Sequence, residues 1–460
     1  MKTFQSRSRL FRWSAVAGSV AVLGASALLL TAGSSRSGYI AHEWGTFTSV
    51  AGADGTLLSW NPLESSRLPG FVYDWKKPGL GRRTTSLMYL GKAGISTFQR
   101  METPVIYFYS STPEQVDVTV DFPKGVITEW YPQAVQVGPS TIPVAPSVAK
   151  LDEYAHKVGV KPSFSFGSLF SNRTIKESRV RWANVQILPA AAKAKSNISF
   201  PSDRSGSHYF AARETDADAI QISSLSATNP LPEQEKFLFY RGAGSFATPL
   251  LTSMSDDGKV KLSNTGKEPL EHLFVLTVEK GKGSFVEIDR LTPGEIKDVE
   301  TAGEPMASRD LEDRLCQQVA AGLEKEGLYK REATAMVHTW KDSWFAEDGT
   351  RVLYVLPRSW TDGILPMKLD PAPRQLVRVM VGRAEILSPS GQQNLKNALV
   401  KAKAGDGEAR AEVVQQLKAL GRFASPALQL ATRNADREVA NNAWVLYQVA
   451  TLPATEPKPL

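Results

Sequence analysis

The chain has 460 residues, enough for roughly two or three domains of ordinary size, and its 42% hydrophobic and 22% charged content is that of a folded globular protein. The formal charge of +7 includes five basic residues of the first 36 (Lys2, Arg7, Arg9, Arg12, Arg36); without them +2 is left, which is no electrostatic footprint for nucleic acid. The single cysteine, Cys316, excludes an intrachain disulfide, and neither a Walker A loop nor a dinucleotide-binding glycine fingerprint occurs.

Residues 1–36 read as a signal peptide or N-terminal anchor. Basic residues precede an uncharged apolar run at 15–30, small polar residues follow, and no acidic residue stands before Glu43. The run is short for a membrane span, which favours cleavage; a retained anchor over 13–32 is the alternative. No cysteine follows it for lipid attachment, and Arg7-Ser8-Arg9 is not a twin-arginine pair. The expected location is periplasmic or extracellular, with membrane contact only through an uncleaved leader.

Residues 37–305 predict a β-rich body. Strands are expected at 105–109, 116–122 and 125–131, where β-branched and aromatic residues recur with period two. A long Pro-rich connection follows at 133–162, then strands at 179–188, 208–213 and 236–241, with a small, basic loop at 190–206. Shorter strands at 260–262, 273–278, 285–288 and 296–299 suggest a second β-sandwich unit over about 236–305. Asn172 and Asn197 open triplets of the glycosylation acceptor pattern, a pattern that also arises by chance.

The pattern changes at Ser308, which predicts a helix cap followed by Asp310, Glu312 and Asp313 in the first turn. Cys316 stands beside the apolar row Leu311, Leu315, Val319, Leu323, as a small buried hydrophobe would. Gly327 ends this helix, and a second runs over 330–345 with Met336, Trp340 and Trp344 on one face. With strands at 351–356 and 378–386, residues 306–389 read as an α+β region. Residues 390–452 form an Ala-rich helical tail that resembles about one and a half HEAT-type repeats, and 453–460 read as disordered. The expected fold class is therefore mainly β, an antiparallel β-sandwich-like body with an α+β region and a small helical repeat-like tail.

Candidate chemistry centres on His42-Glu43-Trp44-Gly45-Thr46-Phe47 and on the segment 208–216, which holds His208, Arg213, Glu214 and Asp216. In an extended strand His42 and Trp44 face one way, Glu43 and Gly45 the other. Of the other histidines, His156 lies in the Pro-rich connection, His272 starts a strand, and His338 sits on the polar face of its helix. Glu102 and Arg241 supply a carboxylate and a cation at comparable strand positions. If these segments converge, His42, His208 and a carboxylate could hold a divalent metal, though no tight ligand spacing specifies one. Alternatively Glu43 or Glu102 acts as acid or base beside Arg213 and Arg241. The bland alternative is a set of satisfied ion pairs at turns. Trp44, Trp60, Trp75, Trp130 and Tyr131 invite a further idea, that exposed rings stack on a glycan, against core packing.

Segments 42–47, 101–109, 236–242 and 381–385 together resemble a family of exported bacterial proteins of unknown function, over roughly residues 40–389. The resemblance implies export but carries no reaction and no catalytic residue. The reading that follows is an exported protein that binds or scaffolds a glycan or envelope partner; the alternative is a metal- or carboxylate-dependent hydrolase built on His42, Glu102, His208 and the charges near them.

Overall fold

The computed structural model describes residues 38–60, 68–74, 97–138, 177–190, 198–204, 206–224, 231–301, 304–403 and 405–432, with Val439 and Ala443 beyond. The leader, most of the Pro-rich connection with His156, Trp75, the Asn172 triplet, Asn197 of the second triplet, the middle of the loop at 190–206 and residues 453–460 lie outside them. No helix among the described residues is long and apolar enough to cross a membrane.

A ten-stranded sheet is the frame. Its spatial order is β16 (Met306–Ala307), β14 (Lys282–Leu291), β13 (Leu270–Glu279), β17 (Gly349–Leu356), β19 (Gln375–Ile386), β1 (Ile40–Ala51), β3 (Gln99–Tyr109), β10 (Leu238–Gly244), β5 (Gly125–Tyr131) and β2 (Tyr73–Asp74). Every neighbouring pair is antiparallel except β1 and β19, which run parallel from Ile40↔Gln375 to Ala51↔Ile386. Parallel neighbours need a crossover, and here most of the chain, from Ala51 to Gln375, intervenes. The sheet takes strands from both sides of residue 305, and β10, β13 and β14 belong to it with β1. The pattern change near 305 therefore marks no boundary in the sheet.

Two smaller sheets cover one face. One runs β18 (Met367–Asp370), β4 (Glu114–Phe122), β7 (Ser178–Leu188), β8 (Ala219–Ile222), β9 (Glu233–Glu235), with β6 (Gln136–Gly138) also on β7; the other runs β11 (Leu250–Met254), β12 (Val260–Asn264), β15 (Ile296–Val299). Period-two burial along β4 puts Val116, Val118, Val120 and Phe122 into the shared core with Phe47, Ile106, Trp130 and Trp182. The opposite face packs against a helical hairpin, α1 (Ser308–Lys325) and α2 (Lys330–Lys341). There Leu311, Leu315, Met336, Trp340 and Trp344 meet Trp44, Val105, Phe274 and Val379. A short helix, α3 (Arg358–Ile364), joins β17 to β18. The tail, α4 (Pro389–Lys403), α5 (Gly407–Leu420) and α6 (Ala424–Thr432), shares a third core with Val50, Trp60 and Leu387.

Three local expectations are corrected. Residues His208–Arg213 form a 3₁₀ helix, with the Ser207 side chain accepting the Tyr209 N–H, so a local side-chain bond competes there with strand pairing. The cap of α1 is Ala307, and Ser308 is already helical. Beyond Lys341 the hairpin continues as a π-helical turn over Asp342–Ala346, which holds Trp344 and Phe345 in the core.

One irregularity positions the site. Trp44 pairs with Val105 and Thr46 with Glu102, so two residues of β3, Thr103 and Pro104, oppose the single Gly45. Thr103 takes φ 47°, and a proline without an N–H suits a bulge. The extra residue resets the alternation of β3, so Arg100 and Glu102 share the helix-side face with Val105, Tyr107 and Tyr109. A Cβ on Gly45 would lie 2.9 Å from Pro104 Cα and 3.0 Å from Met380 Sδ. Gly45→Ala should therefore destabilise the protein by about 1–3 kcal/mol through overpacking, measured as a lower urea midpoint with an unchanged m-value.

Candidate functional site

On the helix-side face a charged band crosses the sheet, and strand register builds it. Arg351 (β17) stands opposite Glu385 (β19), Arg383 (β19) opposite Thr48 (β1), Thr48 opposite Arg100 (β3), and Arg241 (β10) opposite Glu129 (β5). The hairpin's end adds Glu347 and the tail adds Arg422. The charges alternate through close contacts. Arg351 and Arg383 bind Glu385 at 2.7 and 2.5 Å. Arg383 and Arg422 bind Glu347 at 2.7 and 3.4 Å, and Arg422 and Arg100 bind Glu102 at 2.8 and 2.9 Å. Thr48 also donates to Glu102 (2.8 Å), and Arg241 grips Glu129 through Nε and Nη2.

The field shifts the ionisation of several of these groups. Burial alone would raise the Glu102 carboxyl, but Arg100, Arg422, Arg383 and the Thr48 hydroxyl bring it down to about 2. Glu347 is also lowered: burial opposes the shift, and Arg383 and Arg422 outweigh it. Burial lowers the Arg351 guanidinium, while Glu385 and Glu347 outweigh burial and raise Arg383. Several buried donors have no partner among the described residues: Arg383 Nη1, Arg422 Nε, Thr46 Oγ1 and the indole Nε1 of Trp340 and Trp344. Arg100 Nε lies within ion-pair distance of Glu102 but outside hydrogen-bond alignment.

His42 lies elsewhere. Its Nδ1 donates to Glu332 Oε2 (2.7 Å), and the same carboxylate accepts from Tyr109 Oη (2.7 Å) and from the Tyr329 N–H at the start of α2 (2.8 Å). Both His42 and Glu332 are fully buried, and His42 Nε2 has no partner among the described residues. Four strand positions separate His42 from Thr46, the residue opposite Glu102, which is roughly 13 Å. His208 packs its ring 5.2 Å from that of Trp340, eight helical positions or roughly 12 Å beyond Glu332. Those separations break the shared metal site expected of His42, His208 and Glu102, and the described residues hold no cluster of three or more His, Cys, Asp or Glu side chains suited to a metal.

His208 does reach the band. Its side chain is exposed, yet neighbouring protein crowds the ring; that burial lowers its pKa, Glu102 opposes the shift, and Arg100, Arg241 and Arg422 reinforce it. The rest of the 208–216 segment turns to other partners. Arg213 binds Glu235 (2.6 Å) under Phe210, Glu214 accepts from exposed His338 (2.8 Å), and Asp216 binds Arg331 (2.6 Å). These contacts hold the 3₁₀ segment onto α2 and β9. Glu43, on the opposite face, is held by Arg378 (2.6 Å) and Tyr240 (2.5 Å). Of the expected catalytic set, the band brings together Glu102 and Arg241 only.

Of the rings expected to stack on sugar, those among the described residues are core. Trp44, Trp60 and Trp130 are fully buried and Tyr131 is 4% exposed. Sequence reasoning missed Glu332, Glu347, Arg351, Arg383 and Arg422. Glu332 and Glu347 read as surface acids beside a helix; the one available signal was Arg383 and Glu385 sharing a face two residues apart in a predicted strand.

Glu102 sets an acid limb of stability. Its folded value lies below the ordinary 4.5, so its contribution is complete above that pH and is lost as pH falls toward 2. The shift corresponds to roughly 3 kcal/mol. Urea titrations between pH 7 and 3 should show wild-type stability falling below about 4.5, and Glu102→Gln should be less stable at pH 7 with a flatter acid limb.

No family model matches the chain, and no curated protein matches it in sequence. Among solved structures, it is similar to the mu-homology domain of Danio rerio Fcho1 with a bound Eps15 peptide, at 9% identity and a TM-score of 0.27, covering 76% of this chain and 96% of that one. It is also similar to the yeast delta-COP-I mu-homology domain complexed with a Dsl1 WxWxV peptide, at 9% identity and a TM-score of 0.22, covering 76% and 97%. Likenesses this low decide neither fold nor function.

Proposed function

We propose that this chain is an exported binding or scaffold protein for an envelope partner, recognising its ligand at the charged band. The leader-like N-terminus supports export. The observation that carries the binding reading is the state of the carboxylates. Glu102 is held ionised at about 2 between three arginines, and Glu129 and Glu385 are each gripped by guanidinium groups. A general acid or base needs a pKa near the working pH, and Glu102 lies far from it. Burying so many ions costs stability that apolar residues would supply, so such a band is kept for recognition or specificity. The burial of Trp44, Trp60 and Trp130 takes the support from a ring-stacking route to a glycan through those residues.

The rival hydrolase reading keeps one observation: His42 is fixed through Nδ1 by Glu332 while Nε2 is unpartnered, an arrangement a general base requires. One experiment separates the two. Purified mature protein is assayed for turnover of ester, phosphoester, glycoside and peptide substrates, and in parallel for ligand-induced thermal stabilisation by soluble envelope components. Binding without turnover is expected; turnover that His42→Asn abolishes in a folded variant would establish the hydrolase. Fractionation should place the protein outside the cytoplasm, and its appearance in the cytosol would overturn the export reading.

A further inference from the structure

The alternating chain Arg351–Glu385–Arg383–Glu347–Arg422–Glu102–Arg100 begins and ends on arginine, so among the described residues it holds four arginines against three glutamates. Its spare hydrogen-bonding capacity is almost all of the donating kind. Arg383 Nη1 and Arg422 Nε belong to two guanidiniums that share Glu347 Oε2, and both are buried without a partner among the described residues. Thr46 Oγ1 is likewise unpartnered on the adjoining strand. Trp344 has its carbonyl on Arg351 Nη1 (2.9 Å), and its indole stacks on that of Trp340; both Nε1–H groups are unspent. Buried donors are normally satisfied, and leaving several unmade in one neighbourhood is costly. Acceptors carrying negative charge would satisfy them and balance the excess cation, and guanidinium groups suit planar or tetrahedral oxyanions.

We propose that the band is a binding site for an oxyanion, the carboxylate or phosphate of an acidic ligand, held by Arg383 and Arg422 beside Glu347. The inference rests on the binding-protein reading and names its ligand class. Glu347 marks the entrance: its side chain is 39% exposed, whereas Arg383 is fully buried and Arg422 is 11% exposed. The Glu347 carboxylate already occupies one side of both guanidiniums. An incoming oxyanion takes their remaining N–H groups and meets repulsion from Glu347 as it does so.

That repulsion supplies a gain-of-affinity test. Thermal shift and calorimetric titration use full-length mature protein with inorganic phosphate in one arm and succinate in the other, each against chloride at constant ionic strength. Saturable stabilisation by phosphate or by succinate beyond chloride is expected, and the arm that responds identifies the group. Glu347→Gln should tighten binding about tenfold by removing the competing charge, Arg422→Gln should weaken it about tenfold or more, and Trp340→Phe should weaken it about fivefold with the ring retained. Identical curves in phosphate, succinate and chloride overturn the proposal. So does a folded Glu347→Gln protein that binds no tighter while Arg422→Gln binds as well as wild type. If substrate turnover appears while the anion responses hold, the binding-protein reading fails alone; if a non-acidic ligand binds while the anions do not, the oxyanion site fails alone.

Discussion

Seven side chains of alternating charge, Arg351, Glu385, Arg383, Glu347, Arg422, Glu102 and Arg100, hold each other in place through the middle of the molecule, with every carboxylate between two guanidiniums. Such a chain adds little net stability, because desolvation offsets attraction, but it is unforgiving: removing one member strands a buried charge at a cost of about 3–5 kcal/mol. It also decides how the parts join. Glu347 comes from the end of the hairpin and Arg422 from the tail, so hairpin, sheet and tail meet through the same carboxylates. The ring of Phe423 lies under both Arg383 and Arg422 and tilts against Trp60, and Val50 and Leu387 enter the core of the tail. The tail is bound into the body by charge and packing together.

The chain of ions depends in turn on strand parity. Along β1, His42, Trp44, Thr46 and Thr48 share the helix-side face, so one strand runs from the Glu332 site, past the apolar seam under the hairpin, to the band. On β3 the same face would pass to Met101 and Thr103 without the Thr103-Pro104 bulge. The bulge rotates Glu102 and Arg100 to the side where Thr48, Arg383 and Arg422 wait. Gly45 is required there because Pro104 occupies the space a side chain would fill. A turn-forming Thr-Pro pair inside a strand thus places the charge chemistry on the helix side of the sheet.

Local patterns read from the sequence carried much of the architecture. Alternation marked β4 and β5, the row Leu311, Leu315, Val319, Leu323 marked α1, and Gly327 ended it at φ 104°. The split of the segment 42–47 between two faces was legible for the same reason, since period two needs no tertiary information. What escaped was long-range. Arg422 and Glu102 are 320 residues apart, Glu332 and His42 290, and nothing in either neighbourhood reports the other. The parallel pairing of β1 with β19 escaped for the same reason. The segment 208–213 misled because its apolar residues suit a strand, while the Ser207 side chain and the bond from Arg213 to Glu235 favour a tight helical turn.

Residue type and residue capacity point in different directions in this site. Histidines and carboxylates suggest catalysis from sequence, yet Glu102, Glu129 and Glu385 have their lone pairs engaged by arginines, and His42 and Glu332 hold each other with Tyr109. Glu102, lowered to about 2, cannot take up a proton near neutral pH, and the other carboxylates spend their oxygens on contacts that keep the sheet, hairpin and tail together. The arginines, which look like satellites of the acids in the sequence, retain the unspent bonds, and they do so where Trp340, Trp344 and Thr46 also have donors to spare. Chemistry follows the groups with capacity left over. In this fold those groups donate, so what completes the band is an acceptor brought from outside.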